Sequence, residues 1–281
     1  MINTKLCNQI LENQDLYYRT YKKRVKKKNG YKIREIIAPL NSYKRLQKAI
    51  NNELKDIFLI SQISYAWREG INRKECLTPH LGNKYKGEAD IKSFFPSISF
   101  DMVLDLFNQY FNKIDLGIPI EKIARLLTVP CGAGRSLPQG FVTSPLIANA
   151  IRFNMDNMII DFCLKYNITV TNYGDNYLLS GSSLPYNFIK ENIERIFGLY
   201  GFTLGKFWIA PIHKRQFALG LIFNKKITKD KDSVYDVIGL IKRGEDKRKV
   251  LGKINEIGNS ENKKNYNYLI KLMKKVYEEN S

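Results

Sequence analysis

Two aspartates stand out for what surrounds them. In EADIKSFFPSI, Asp90 closes a short β-forming run, immediately before a turn and the aromatic pair Phe94 and Phe95. In TNYGDNYLLSG, Asp175 lies between two β-forming runs, and Gly174 before it permits the tight turn of a hairpin tip. Two strand-end carboxylates from distant parts of a chain can face one cleft. Such a pair suits phosphoryl transfer, in which two Mg²⁺ ions activate an attacking 3′-hydroxyl and stabilise the leaving pyrophosphate, because a hard cation prefers oxygen ligands. Taken singly, either aspartate is more often a turn former or cap than a metal ligand.

The elements around them read as a mixture of helix and strand. Residues 5–18 carry apolar side chains at helical spacing, and YKKRVKKKNGYKIREIIAPL reads as two strands about Asn29-Gly30, a basic hairpin. Tyr43, Leu46, Ile50, Leu54 and Phe58 form the apolar stripe of a helix over 41–60, with Lys44, Arg45 and Lys48 on its other face. Two helices are expected over 100–127, one long helix over 143–166, a β-hairpin over 169–180 and a helix over 186–200. Short strands around Pro211 and further helices over 233–279 complete the reading.

Composition narrows the class of partner. The 281 residues hold 46 Lys and Arg against 27 Asp and Glu, a net charge of +19, which favours a polyanion and long-range steering toward it. Residues 1–55 hold 14 basic and 4 acidic residues and so carry +10 of that charge. The four cysteines contain no C-x-x-C pair, which argues against a disulfide framework or a zinc module and fits a reducing cytoplasm. No apolar run reaches transmembrane length, and MINTKLCNQILENQD lacks the apolar stretch of a signal peptide. No membrane partner is expected.

With LPQGFVTSPLIANA lying between them, the flanks of the two aspartates resemble the reverse transcriptases, in particular their bacterial retron and phage-defence branch. An Asp followed at short range by paired aromatics forms motif A in that family (Asp90 to Phe95). Pro-Gln-Gly with a downstream Ser-Pro and Asn forms motif B (Pro138 to Asn149), and Tyr-x-Asp-Asp forms motif C (Tyr173 to Asn176). Three motifs in order are far more specific than any one. IREIIAP is similar to the family's fingers segment and ALGLIFN to its primer-grip strand.

The resemblance implies an α+β right-hand polymerase: an N-terminal helix and fingers over 1–85, a palm with an antiparallel sheet over 86–225, and a helical thumb over 226–281. It implies an RNA-directed DNA polymerase that adds dNTPs with Mg²⁺ or Mn²⁺. Its partners would be a structured non-coding RNA as template or primer, an RNA–DNA duplex product and a toxin or effector protein, in antiphage defence. Asp90, Asp175 and the Ile91 carbonyl would hold metal, with Asn176 beside them in the catalytic set. Phe95 would exclude a 2′-hydroxyl. Lys32 and Arg34 would reach the triphosphate, Gln139 and Gly140 would meet the nucleotide, and Lys206 would stand where motif D offers a proton to pyrophosphate. Lys26, Lys27, Lys28, Lys44, Arg45, His80, Lys214 and Arg215 would contact nucleic acid.

The chain departs from the pattern in places. Motif C reads Tyr-Gly-Asp-Asn, so Asn176 replaces a second aspartate and one negative charge is missing. Where retron enzymes carry Asn-Ala-x-x-His and Val-Thr-Gly, this chain has Cys76-Leu-Thr-Pro-His80 and Ala218-Leu219-Gly220. His80 reads equally as a structural histidine. Two other functions therefore stay open: a catalytically weakened RNA-binding scaffold or sensor, favoured by Asn176, and an untemplated DNA polymerase.

Overall fold

In this computed structural model, residues 2–27, 30–229, 231–258 and 263–278 are described. Helix α1 (Thr4–Glu12) is capped by the Asn3 side chain, which accepts from the Leu6 amide at 2.9 Å. It ends earlier than its apolar spacing suggests, in a 3₁₀ turn over Gln14–Tyr17. The basic segment forms the long antiparallel pair β1 (Tyr18–Lys27) and β2 (Gly30–Pro39). Helix α2 (Asn41–Leu54) buries Tyr43, Leu46, Ile50 and Leu54 on the predicted stripe; Phe58 is buried beyond its end. Its Gln47 is buried too and accepts from the Val142 amide at 3.1 Å.

A short helix α3 (Arg73–Leu77) leads to β3 (Tyr85–Ile91), an inner strand of the main sheet. Helices α4 (Phe94–Ser97), α5 (Phe100–Gln109) and α6 (Ile120–Leu127) follow, then the small pair β4 (Val129–Cys131) and β5 (Gly134–Ser136). The expected single helix over 143–166 is two, α7 (Ser144–Ile151) and α8 (Phe153–Lys165), separated at Arg152. β6 (Thr169–Tyr173) and β7 (Asn176–Gly181) form the predicted hairpin. After α9 (Tyr186–Leu199) comes β8 (Leu204–Pro211), then the two-residue strands β9 (Phe217–Ala218) and β10 (Leu221–Ile222).

The main sheet has the order β6-β7-β3-β8, all antiparallel. One face packs Ala89, Ile91, Tyr177 and Leu179 into the large core with residues of α5 to α9. The other face is covered as well, since Leu178 packs with Cys76, Leu77, Ala218, Leu221 and Phe223. That second cover explains why Lys86 and Glu88 of β3 are buried although they alternate with apolar residues. The Lys86 ammonium donates to the Phe223 and Asn224 carbonyls, the latter at 2.6 Å, and burial pushes its pKa down to about 8.

Helices α10 (Lys231–Lys242), α11 (Lys247–Gly258) and α12 (Lys263–Glu278) pack on one another through a separate cluster that includes Val237, Ile241, Val250, Ile254 and Leu269. Among the described residues, no helix is long and apolar enough to cross a membrane.

Candidate active site

β3 and β7 bring the two aspartates together. Asp90 stands opposite Asn176 in their register, and the Ile91 amide donates to the Asp175 carbonyl at 2.8 Å. Gly174, at φ +70°, makes the turn between β6 and β7 that a side-chain-bearing residue would strain. Asp175 is half-buried, and its carboxyl is held above the usual carboxylate range, first by burial and then by the negative charge of Asp90. Arg34 of β2 and Arg152 oppose that rise, so the β1–β2 hairpin already projects positive charge toward the pair.

Asp90 rests on β8. From Ala89 to Ile91 β3 advances two residues while β8 runs from Phe207 back to Leu204, so Gly205 and Lys206 together face Asp90 in a β-bulge. The Lys206 amide donates to Asp90 Oδ1. A Cβ at Gly205 would stand 2.2 Å from that oxygen, so only glycine admits the carboxylate there. The Lys206 ammonium is turned to Glu88 at 2.7 Å, and Glu88 also accepts from Trp208 Nε1 at 2.7 Å. Lys206 thus differs from the expected nucleotide-side role: its backbone serves Asp90 and its charge pairs within the sheet.

Asn176 donates from Nδ2 to Asp175 Oδ1 at 2.8 Å. Where a second aspartate would repel, this amide supports the carboxylate. Asn172 donates to the carbonyls of Gly174 and Asn176, both at 3.2 Å, and ties the turn from within.

Phe94 is buried and Phe95 only partly so. Ser93, at φ +52°, turns the chain between Asp90 and this pair. The loop of Pro138 to Thr143 is clamped on both sides. The Ile37 amide donates to the Gln139 carbonyl at 2.9 Å, and Ser144 Oγ to the Pro138 carbonyl at 2.7 Å. At Gly140, φ +129°, a Cβ would stand 2.5 Å from the Ile37 carbonyl oxygen. The close approach this glycine permits in the structure is therefore to β2.

His80 is also corrected. It is fully buried between Ser180 Oγ at 2.7 Å and Thr171 Oγ1 at 2.8 Å, and burial drops its pKa to about 3. A neutral, enclosed imidazole is a structural member of the sheet's second cover and cannot touch RNA there. Lys44 and Arg45 lie exposed on α2, and Lys214 and Arg215 exposed in the turn after β8, where Arg215 sits 5.1 Å over the Phe217 ring. Lys28 lies outside the described residues, as do the side chains of Lys26, Lys27 and Lys32.

The structure adds residues that sequence reasoning missed. Arg152, fully buried, donates to Asn149 Oδ1 at 2.6 Å, Ser64 Oγ at 3.2 Å and Tyr177 Oη at 3.3 Å, and lies 3.9 Å from Asp156. Its guanidinium is 5.3 Å over the Phe94 ring. One cation thus joins motif B, the strand after motif C and the aromatic turn after Asp90. Trp67, Glu88 and Gly205 complete the site's surroundings. No local signal marks any of these, apart from the scarcity of Trp, which occurs twice in the chain.

The arrangement fits hard divalent cations. Two carboxylates converge with mutual repulsion that such a cation relieves. Among the described residues no cluster of three or more His, Cys, Asp or Glu is present, so the pair would bring two carboxylates and no third.

Comparison with known proteins bears on the same residues. The sequence profile of the reverse transcriptase (RNA-dependent DNA polymerase) family matches residues 25–198. The retron Ec73 reverse transcriptase of Escherichia coli is 29% identical over 197 residues, covering 66% of this chain and 62% of that protein. The retron Ec86 enzyme of the same organism is 28% identical over 185 residues, covering 65% and 55%. For the retron Mx65 reverse transcriptase of Myxococcus xanthus the identity is 28% over 164 residues, covering 54% and 38%. The chain thus spans 38 to 62% of the length of these three relatives. Among solved structures, telomerase from Candida albicans in complex with a TWJ fragment of telomeric RNA superposes over 98% of this chain and 59% of that one. The TM-score is 0.55 and the identity 12%, a likeness of fold.

Proposed function

The chain belongs to the reverse transcriptase (RNA-dependent DNA polymerase) family, and on that premise we propose that it is an RNA-directed DNA polymerase of the retron type. The observation that carries the proposal is the pair of strand-end carboxylates, Asp90 and Asp175, held side by side across β3 and β7. Divalent cations, Mg²⁺ or Mn²⁺, would be held by these carboxylates and the Ile91 carbonyl, and would supply activation of the primer hydroxyl and charge neutralisation at the leaving pyrophosphate.

The remaining work falls to the chain's own groups. Arg34 brings a guanidinium from the fingers toward the triphosphate, for which its planar fork suits paired phosphate oxygens. Phe95 closes the sugar end of the site against a 2′-hydroxyl. The Gln139 region, clamped by Ile37, fixes the fingers hairpin against the palm. The basic hairpin, with Lys26, Lys27 and Lys28, and the exposed Lys44, Arg45, Lys214 and Arg215 would track phosphates of the template and of the RNA–DNA product, while Lys32 would join Arg34 at the triphosphate. The helical bundle from about 226 onward would act as the thumb that holds the duplex.

The template we infer is a structured non-coding RNA, in a cytoplasmic antiphage system with a toxin or effector protein, on the strength of the retron relatives. A second reading, an RNA-binding scaffold with weakened catalysis, is favoured by the missing carboxylate at Asn176.

Primer extension in Mg²⁺ and in Mn²⁺, on RNA template, DNA template and no template, separates these readings. Deoxynucleotide incorporation on RNA that disappears in Asp175→Ala is the expected result. Incorporation without template would favour an untemplated enzyme. No incorporation in either metal, with the co-expressed RNA bound, would leave the scaffold. Sequencing of copurifying RNA identifies the template, and phage plating with Asp175→Ala tests the link to defence.

A further inference from the structure

Trp67 occupies a left-handed backbone conformation, φ +60°, which a bulky residue seldom adopts. Such a conformation persists only where the surroundings enforce it. Here they are the motif segments themselves. Ser64 bridges Asn172 in parallel register, the Tyr65 amide donates to the Asn172 carbonyl at 2.8 Å, and the Asn172 amide to the Ile63 carbonyl at 2.7 Å. Asn149 of motif B donates to the Ala66 carbonyl at 3.2 Å. Motif B and Asn172, the residue just before motif C, therefore combine to hold an indole that is not buried: Trp67 is 46% exposed. A large aromatic held in an enforced left-handed conformation and left half-exposed is available to a group from outside the chain.

Both of its neighbours belong to the site. The Phe95 ring lies 5.6 Å away, centroid to centroid, tilted by 55°. A Cβ at Gly174 would stand 3.2 Å from Trp67 Cη2 and 3.4 Å from Cζ2, tighter than ordinary contact. The indole and a side chain at 174 would thus compete for one space, directly before Asp175. Glycine there serves the turn and also makes room for the ring.

We propose that Trp67 is a specificity-determining residue: its indole and Phe95 form one aromatic wall against the sugar of the incoming nucleotide, and Gly174 supplies the space the indole needs. This rests on the polymerase reading above. Phe95 is only partly buried, and its ring meets those of Phe94 at 5.5 Å and Trp67 at 5.6 Å. Without the indole, Phe95 gains freedom to move away from a 2′-hydroxyl.

The test is single-nucleotide incorporation of dUTP and of UTP, which differ only at the 2′ position, by the full chain on one primer–template. Trp67→Ala should lower the preference for dUTP over UTP about tenfold, the scale on which small changes of pocket shape act. Gly174→Ala should impair dUTP use, and adding Trp67→Phe should recover part of it. Backbone strain from alanine at φ +70° is untouched by a change at 67, so recovery isolates the contact. An unchanged preference in Trp67→Ala, or equal loss with both nucleotides, overturns the proposal.

If the unaltered protein incorporates neither nucleotide, the polymerase reading has failed, and a binding signal decides this one. In Trp208→Phe protein on a dideoxy-terminated primer, Trp67 is the remaining indole. Quenching by dUTP at lower concentration than by UTP supports the wall; equal quenching or none overturns it.

Discussion

Asn176→Asp restores the second aspartate of motif C, and the structure states what that should do to the protein without metal. The Asn176 amide now donates to Asp175 Oδ1 at 2.8 Å, and Asp175 is already held above the usual carboxylate range by burial and by Asp90. The substitution removes a hydrogen bond to a charged acceptor, worth about 1.5–3 kcal/mol. It also sets two like charges about 3 Å apart, a repulsion of roughly 5 kcal/mol at an effective dielectric near 20. Uptake of a proton by one carboxyl caps the second effect, so a net loss of about 2–4 kcal/mol is expected in the metal-free protein. At about 2–4 °C per kcal/mol for a chain of this size, Tm should fall by roughly 5–15 °C in EDTA at pH 8.

The sign with pH follows from linkage. Carboxyls whose pKa is raised by folding bind protons more tightly in the folded state, so the penalty is full above the raised values and fades as pH falls through them. The difference between variant and parent should therefore shrink from pH 8 to pH 5. Added Mg²⁺ or Mn²⁺ should raise the variant's Tm more than the parent's, because three carboxylates then share a cation. Differential scanning calorimetry measures both. An unchanged Tm in EDTA, or a metal response equal to the parent's, would refute the assignment of Asn176 to the carboxylate pair.

Gly205→Ala should cut primer extension about a hundredfold, since displacement of a reacting group by an ångström carries that cost. Its Cβ must push Asp90 off the Lys206 amide while the carboxylate remains in the chain; near-normal extension would contradict the bulge geometry. His80 binds its proton in the unfolded chain near 6.5 but in the fold only near 3, so its contribution makes stability fall as pH drops below 6.5, by about 1.4 kcal/mol per unit. Urea unfolding between pH 7 and pH 5 should show about 2 kcal/mol of that loss, and His80→Gln should flatten it; an equally steep slope in the variant would refute a neutral buried imidazole. Charge reversal at Lys26, Lys27 and Lys28 should weaken RNA binding and lower the slope of log K against log salt by about 2–3. Binding unchanged at low salt would relegate that run to solubility.

What the sequence determined by itself is local. The hairpin carrying Asp175, the strand ending near Asp90, the basic hairpin and the amphipathic stripe of α2 all follow from turn residues and periodicities within about twenty residues, and the structure has each of them. Motif order identified the family, because three short patterns in sequence carry more information than any side chain's surroundings. The break at Arg152 was invisible, since nothing in NAIRFN forbids a continuing helix; the turn there serves a guanidinium that must reach Ser64 and Tyr177.

Tertiary structure decided the rest, for one physical reason. Whether a glycine is a turn, a cradle or a spacer depends on atoms that arrive from elsewhere in the chain. Ile37 meets Gly140, Asp90 meets Gly205 and Trp67 meets Gly174, each across more than a hundred residues. His80 is likewise a matter of neighbours, for only its enclosure by Thr171 and Ser180 separates a structural imidazole from an RNA contact. The two aspartates were legible from their flanks; the supports that hold them, the amide of Lys206 and the side chain of Asn176, became visible only when the strands were paired.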